Sequence, residues 1–170
     1  DINSLKKLND YYDDSYDDVE RVLGIKIPNQ DDINAYLPDG NTLIISVVRN
    51  KRMPMSQRKE KIRWLIGHKA KIDRRDCGKY YFPPLSHSIQ NGDFEMFQFL
   101  LHECKANPNV GSRNPHDAGK IRQKNDGNMP LMIAAWDNKL EYVRELIADE
   151  RTSLNQQDGN GFTALIKACY

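Results

Sequence analysis

The sequence predicts an all-α solenoid, in which short helical hairpins stack side by side and turn-rich fingers connect them. Three observations support this prediction. Similar segments recur along the 170 residues, turn-forming residues precede them, and a second apolar stripe at helical spacing follows each complete copy. One such helical pair cannot bury its apolar face alone, so neighbouring pairs are expected to stack.

The recurring segments align on an apolar residue near the start of each first helix. Proline at Pro84 and Pro130 suits the first helical turn, where the missing N–H group is not needed. Glycines at turn positions before the helices tolerate unusual φ angles, namely Gly40, Gly78, Gly127 and Gly161. The aligned apolar positions are Ile44, Leu85, Leu131 and Leu165, and the second stripes lie at 62–66, 96–101 and 142–147.

These motifs resemble ankyrin repeats. The run PLMIAA at 130–135 is similar to the family signature T-P-L-H-x-A, with Met132 in place of its histidine. Asn91-Gly92-Asp93 followed by Leu100-Leu101 is similar to the turn between helices and the second helix. The resemblance covers about residues 39–170. It implies an ankyrin-repeat α-solenoid with short β-hairpin or turn fingers.

The resemblance divides the chain into a cap and a series of repeats. We expect an acidic N-terminal helical cap at 1–38, with one helix at Tyr16–Leu23 whose apolar stripe ends at Gly24. The aligned positions are spaced 41, 46 and 34 residues apart, which places extra residues at Lys51–Lys61 and Val110–Lys124. The expected repeats are 39–73, 74–109, 125–155 and a truncated 156–170, with an inserted loop at 110–124.

Tyr170 falls inside the first helix of the last repeat, whose second helix is missing. The apolar face of a half-repeat is unfavourable when exposed. The pattern favours a chain cut from a longer protein over a chain whose last helix is covered by another partner.

The charge is almost balanced overall, with 25 basic and 24 acidic residues, but it is segregated along the chain. Residues 1–40 carry a net charge of −6, residues 41–79 carry +9, and residues 80–170 carry −2. Such asymmetry matters because a local field steers partners more than the net charge does. No apolar run approaches the roughly 18–20 residues that span a bilayer.

Reactive side chains form no recognisable catalytic or metal-binding pattern. The three cysteines, Cys77, Cys104 and Cys169, lack the close pairing of a zinc site and indicate a reducing compartment. No catalytic signature of the nucleophile-elbow, Walker or H-E-x-x-H type is present. His87, between Ser86 and Ser88, is expected to be a packing or surface residue of a first helix. The sequence therefore predicts no enzyme, no metal and no cofactor.

The resemblance implies a protein–protein interaction scaffold whose concave face and finger tips bind another protein. Trp136 is the first candidate anchor, because Trp, Tyr and Arg dominate interface hot spots. Packing of Trp136 against a neighbouring repeat is the alternative, while Trp64 is expected in the core. Tyr80, Tyr81 and Phe82 form either an exposed aromatic tip or packing under a finger. The expected partner-binding residues are Arg49, Asn50, Arg75, Tyr80, Tyr81, Gln90, Asn91, Asn128, Trp136, Asp137 and Phe162.

A second hypothesis uses the basic block at 49–75, whose lysines and arginines suit the phosphates of nucleic acid or of an anionic membrane. The opposing interpretation is a solvated face that pairs with the acidic N-terminal segment. Among partners, we expect a protein, with nucleic acid and membrane ranked below it. We also expect a monomeric chain.

The irregular repeats also resemble ankyrin-repeat effectors that intracellular bacteria deliver into the host cytoplasm, or viral proteins. A eukaryotic scaffold stays open as an alternative.

Overall fold

The computed structural model describes residues 33–78, 81–112 and 127–169, and these ranges form helical units stacked in chain order. The expected cap helix at Tyr16–Leu23 lies outside the described residues. Unit 1 consists of α1 (Leu43–Arg49) and α2 (Met55–Gly67), and unit 2 of α3 (Pro84–Gln90) and α4 (Phe94–Gln98), which continues as a π-helical turn (Phe99–Glu103). Unit 3 consists of α5 (Pro130–Trp136) and α6 (Leu140–Ala148), and unit 4 is represented by α7 (Ala164–Ala168).

Local sequence explains where the first helices begin. The Thr42 hydroxyl accepts a hydrogen bond from the Ile45 amide at 3.2 Å, and Thr163 caps α7 in the same way. Pro84 and Pro130 occupy the first turns of α3 and α5, as the sequence predicts. The recurring segments are therefore helices whose start is fixed by a residue in or beside the repeated motif.

The second helix of unit 1 differs from the expected arrangement. Extra residues were expected between the two helices, at Lys51–Lys61, but α2 already begins at Met55. Most of the excess therefore lengthens α2, which has 13 residues against nine in α6. Its lysines and arginines are good helix formers, so the added residues extend the helix rather than a loop.

The first helices lie side by side in the order α1, α3, α5, α7, and each second helix packs on the first helix of its own unit. One apolar core runs through this stack. Trp64 belongs to it with 4% of its surface exposed, which confirms the expected core position. Between units 2 and 3, the ring of Tyr142 lies 5.0 Å from those of both Phe94 and Phe97, each in an edge-to-face arrangement.

A finger precedes each first helix. Within the described ranges the fingers contain no β-strand and are turns closed by backbone hydrogen bonds. Gly40, Gly127 and Gly161 have φ angles of 78°, 87° and 81°. The aligned residue of unit 2 is Tyr81, with φ of 48°, whereas Gly78 is not in the left-handed region. Gly78 lies in the same finger as expected, but Tyr81 takes the left-handed position because the finger of unit 2 is two residues longer than those of units 1 and 4.

The finger of unit 3 is interrupted by a long run of residues. The Ser112 amide donates to the Asn128 carbonyl at 3.0 Å, and the Gly127 amide donates to the Ser112 carbonyl at 2.7 Å. Asp76 with Phe82, and Asp158 with Phe162, make the corresponding amide-to-carbonyl bond in units 2 and 4. The intervening residues 113–126 therefore join at a finger tip, and they lie outside the described residues.

Arg58 connects the two helices of unit 1 to unit 2. Its side chain is 4% exposed and lies beneath the carboxyl end of α1. It donates to the carbonyl oxygens of Val47 and Val48, and Nη1 lies 2.7 Å from the Asp93 carboxylate. Asp93 also accepts from the Met96 amide and so caps α4. One guanidinium thus donates to carbonyls at a helix end and fixes the start of a helix in the next unit.

We expect Arg58→Met to lower the free energy of unfolding by about 3 kcal/mol or more, because it leaves Asp93 without its buried ion partner. The matched control is Arg63→Met, since Arg63 pairs at 2.7 Å with Glu103 but both side chains are about half exposed. That change is expected to cost less than about 1 kcal/mol. Urea unfolding followed by circular dichroism measures both, and equal losses would contradict the role given to Arg58.

Tyr142 provides a second stability test, because its hydroxyl is buried and has no hydrogen-bond partner among the described residues. Burial, followed by the nearby carboxylates of Glu141 and Asp93, raises the pKa of Tyr142 to about 12. Tyr142→Phe is expected to raise the free energy of unfolding by about 1 kcal/mol, since it removes an unsatisfied polar group. Tyr142→Ala should instead lower it by about 3 kcal/mol or more. A destabilised phenylalanine variant would show that the hydroxyl has a partner.

Candidate interaction surface

The carboxyl ends of the first helices line up along one edge of the stack. We call this edge the ridge and define it as residues 49–52, 89–92 and 136–139. Lys51 Nζ of unit 1 donates to the Asn91 carbonyl at 2.5 Å. Lys139 Nζ of unit 3 donates to the Ile89 carbonyl, also at 2.5 Å. Both ammonium groups meet the negative end of α3, where the last carbonyls lack helical partners. The unit 2 part of the ridge is therefore hydrogen-bonded to the unit 1 part through Lys51 and to the unit 3 part through Lys139.

The ridge contains most of the residues that the sequence assigned to partner binding. Arg49, Asn50, Gln90 and Asp137 are exposed, and Asn91 is half-buried. Arg49 Nη1 donates to the Asn41 side-chain oxygen at 3.1 Å, which holds the guanidinium beside the first finger. The structure thus brings together six predicted residues, counting Trp136, from three units that are about 40 residues apart in sequence.

Trp136 is 57% exposed, the largest aromatic surface on the ridge. Lys167 of unit 4 lies over its ring with Nζ 5.3 Å from the centroid, and the same ammonium lies 5.3 Å from the ring of Phe162. Trp136 is therefore partly an exposed residue available to a partner and partly a residue packed against the neighbouring repeat. The neighbouring unit supports the indole while more than half of the side chain faces solvent.

Lys167 is held by a buried carboxylate that the sequence reasoning missed. Its Nζ lies 2.8 Å from Asp158 Oδ2, with both side chains almost fully buried. Burial alone would raise the pKa of Asp158, but hydrogen bonds from Lys167 and the amides of Phe162 and Asn160 keep that pKa below its usual value. The finger of unit 4 is therefore locked onto α7.

Unit 2 has the equivalent arrangement. His87 Nε2 lies 2.6 Å from Asp76 Oδ2, and Asp76 Oδ1 accepts from the amides of Gly78 and Phe82. His87 is buried in α3, which confirms the expected position on a first helix with a packing role. His87 and Lys167 are both the fourth residue of their helices. Both acid–base pairs, Asp76 with His87 and Asp158 with Lys167, could have been found in the sequence by aligning the repeats on the first residue of each first helix.

The finger residues that the sequence assigned to partner binding make several kinds of contact within the protein. Arg75 Nε donates to the Gly111 carbonyl at 2.6 Å, which joins the fingers of units 2 and 3. The amide of Asn128 donates to the Ser112 hydroxyl, and that of Phe162 to Asp158. Tyr81 is half-buried beside the buried ring of Phe82, while Tyr80 lies outside the described residues. The described part of the finger of unit 2 therefore contributes packing as well as surface.

Two family descriptions match the chain. "Ankyrin repeats (many copies)" matches residues 51–101, and "Ankyrin repeat" matches residues 126–159. Together they cover half of the chain. The chain is an ankyrin-repeat protein.

The solved structures agree with this assignment. The structure is similar to the crystal structure of the ankyrin repeat domain of Bcl-3, described as a unique member of the IkappaB protein family, with a TM-score of 0.64 and 25% sequence identity. The match covers 86% of this chain and 55% of that one, so the chain spans about half the length of the domain it matches. No curated protein sequence matches the chain. The ankyrin fold, being shared by many functions, leaves the partner to be argued from the surface.

Several side chains of the basic block at 49–75 make contacts within this ankyrin stack. Arg58 is buried, and Lys59 and Arg63 reach from α2 to Glu95 and Glu103 of unit 2 at 2.8 and 2.7 Å. The Arg74 guanidinium lies over the Tyr36 ring, with Cζ 4.5 Å from the ring centroid. Much of the block therefore stacks unit 1 on unit 2. Any pairing with acids in residues 1–32 lies outside the described residues.

Metal-binding and reactive side chains are dispersed in the described ranges. No three His, Cys, Asp or Glu residues there lie close enough together to hold a metal ion. His102 lies 2.8 Å from Glu145 of unit 3, and His68 stacks on Trp64 with ring centroids 3.9 Å apart. His116 lies outside the described residues. His102 therefore links unit 2 to unit 3, whereas His68 packs on its own helix α2.

The cysteines differ in environment. Cys77 and Cys169 are exposed, whereas burial, followed by the neighbouring Glu103 carboxylate, raises the pKa of Cys104 to about 12. At pH 8 we expect Cys77 and Cys169 to react with a disulfide reagent and Cys104 to resist until the protein is denatured, because the thiolate is the nucleophile. The number of reactive cysteines is measured from the reagent thiolate released before and after guanidinium chloride is added. Rapid reaction of all three thiols in the native state would contradict the partial burial and raised pKa of Cys104.

Proposed function

We propose that this ankyrin-repeat segment is a protein-binding scaffold that holds its partner along the ridge. The observation that carries the proposal is the half-exposed Trp136 at one end of a surface whose three parts are fastened together by Lys51 and Lys139. A rigid surface of this kind binds without the entropic cost of ordering loops. An exposed aromatic side chain is the type of residue that dominates interface energies.

The finer expectations extend this proposal. We propose that the segment is not an enzyme, since the side chains on the ridge provide recognition and no convergent reactive group. We also propose that the segment acts as a monomer in the cytoplasm. A role as an effector delivered by an intracellular bacterium is a further proposal, and it rests on the irregular repeats alone. Among the residues described, no helix has the length and apolar character to cross a bilayer.

We expect Trp136→Ala to weaken partner binding by about 2 kcal/mol, or roughly 30-fold, while the fold survives. The experiment is a pull-down from host cytosol followed by titration of the captured protein. Ile147→Ala is the matched control, because Ile147 is 54% exposed on α6 and lies off the ridge. Its binding should be unchanged. Equal affinity of the wild type and Trp136→Ala would remove Trp136 as an anchor, and the absence of any specific capture would count against the scaffold.

A further inference from the structure

The ridge is asymmetric along its length, and the asymmetry indicates what kind of partner it fits. The unit 1 end has three exposed basic residues, Arg49, Lys51 and Arg52. The unit 3 end has the exposed indole of Trp136. Near that indole, the Asp137 carboxylate lies 3.5 Å from Lys139 Nζ. The two ends therefore favour different chemical groups.

The basic end is held in position for carboxylates. Lys51 donates to the Asn91 carbonyl and Arg49 to the Asn41 side chain, so both groups are fixed by the protein itself. An ammonium has three donors and a guanidinium has five, so each group retains donors for a ligand after these contacts. Charge-assisted bonds from such groups to carboxylates are stronger than neutral ones.

The distance between the two ends sets a spacing. The first helices are neighbours in the order α1, α3, α5, and packed helices lie about 8–10 Å apart. The path from the basic end to Trp136 is therefore about 16–20 Å. An extended chain advances about 3.3–3.6 Å per residue, so this path corresponds to about five or six residues.

We propose that the ridge binds an extended acidic segment of a partner protein, with its carboxylates on Arg49, Lys51 and Arg52 and an apolar or aromatic side chain on Trp136. The two groups are about five or six residues apart. This inference rests on the proposed scaffold function and specifies the class of its partner.

A single-stranded nucleic acid is less well suited to the same surface. Such ligands stack successive bases on several aromatic rings, and the described ridge presents one. The Asp137 carboxylate next to it would repel a phosphate backbone.

The test uses synthetic fluorescent peptides with an acidic cluster and one phenylalanine, joined by glycine-serine spacers of about two, five or ten residues in both chain directions. Fluorescence anisotropy gives each affinity. We expect a peptide with the five-residue spacer to bind at least about tenfold more tightly than the other two. Replacement of its phenylalanine should weaken binding to the wild type but not to Trp136→Ala, because the two side chains act as a pair.

Charge reversal tests the basic end. Arg52→Glu should weaken binding of the five-residue peptide by about tenfold, whereas Arg144→Glu, an exposed arginine of α6 off the ridge, should leave it unchanged. Circular dichroism and the urea midpoint verify that both variants fold. Equal losses in the two variants would show a nonspecific charge effect and overturn the proposal.

A labelled single-stranded oligonucleotide separates the remaining outcomes. Tight, salt-sensitive binding of the oligonucleotide without binding of the acidic peptides would overturn the inference in favour of a phosphate ligand. Equal binding of all three spacers would also overturn it. If the peptides fail while Trp136-dependent capture from cytosol persists, the scaffold proposal stands and this inference alone falls.

Discussion

The buried guanidinium of Arg58 is the contact on which the arrangement of the first two units depends. It donates to the Val47 and Val48 carbonyls near the end of α1 and pairs with Asp93, which caps α4. A buried cation without partners would be costly, so the geometry of all three groups is fixed together. Because the ridge begins at the end of α1, the same contact determines where its basic end lies.

Other basic side chains repeat this chemistry along the stack. Lys51 and Lys139 meet the end of α3 from opposite neighbours, and Arg151 of unit 3 donates to the carbonyls of Leu101 and Ala106 beyond α4. Short helices have a high proportion of unsatisfied terminal carbonyls, and cations from adjacent units supply the missing donors. The positive charge of the first units is therefore partly structural.

The acid–base pairs of units 2 and 4 hold the finger turns against the first helices. Asp76 with His87 and Asp158 with Lys167 each tie a finger turn to the fourth residue of the following helix. The aligned positions of units 1 and 3 hold Leu37 with Ser46 and Ser112 with Ile133, which form no such pair. The support that Lys167 gives to Trp136 is a consequence of this pairing, so the fourth unit contributes to the surface of the third.

The sequence by itself determined the local features: the ankyrin register, the helix starts at Pro84 and Pro130, the core position of Trp64 and the exposure of Arg49, Asn50 and Gln90. The helix starts and the exposures follow from patterns within about ten residues, and the register follows from the recurrence of those patterns along the chain. Tertiary structure alone decided the contacts of the basic block and the burial of His87 against Asp76. Contacts such as Arg58 with Asp93 or Lys139 with Ile89 join residues 35 and 50 positions apart. Their geometry exists only when neighbouring units pack, because each unit buries its apolar face against the next.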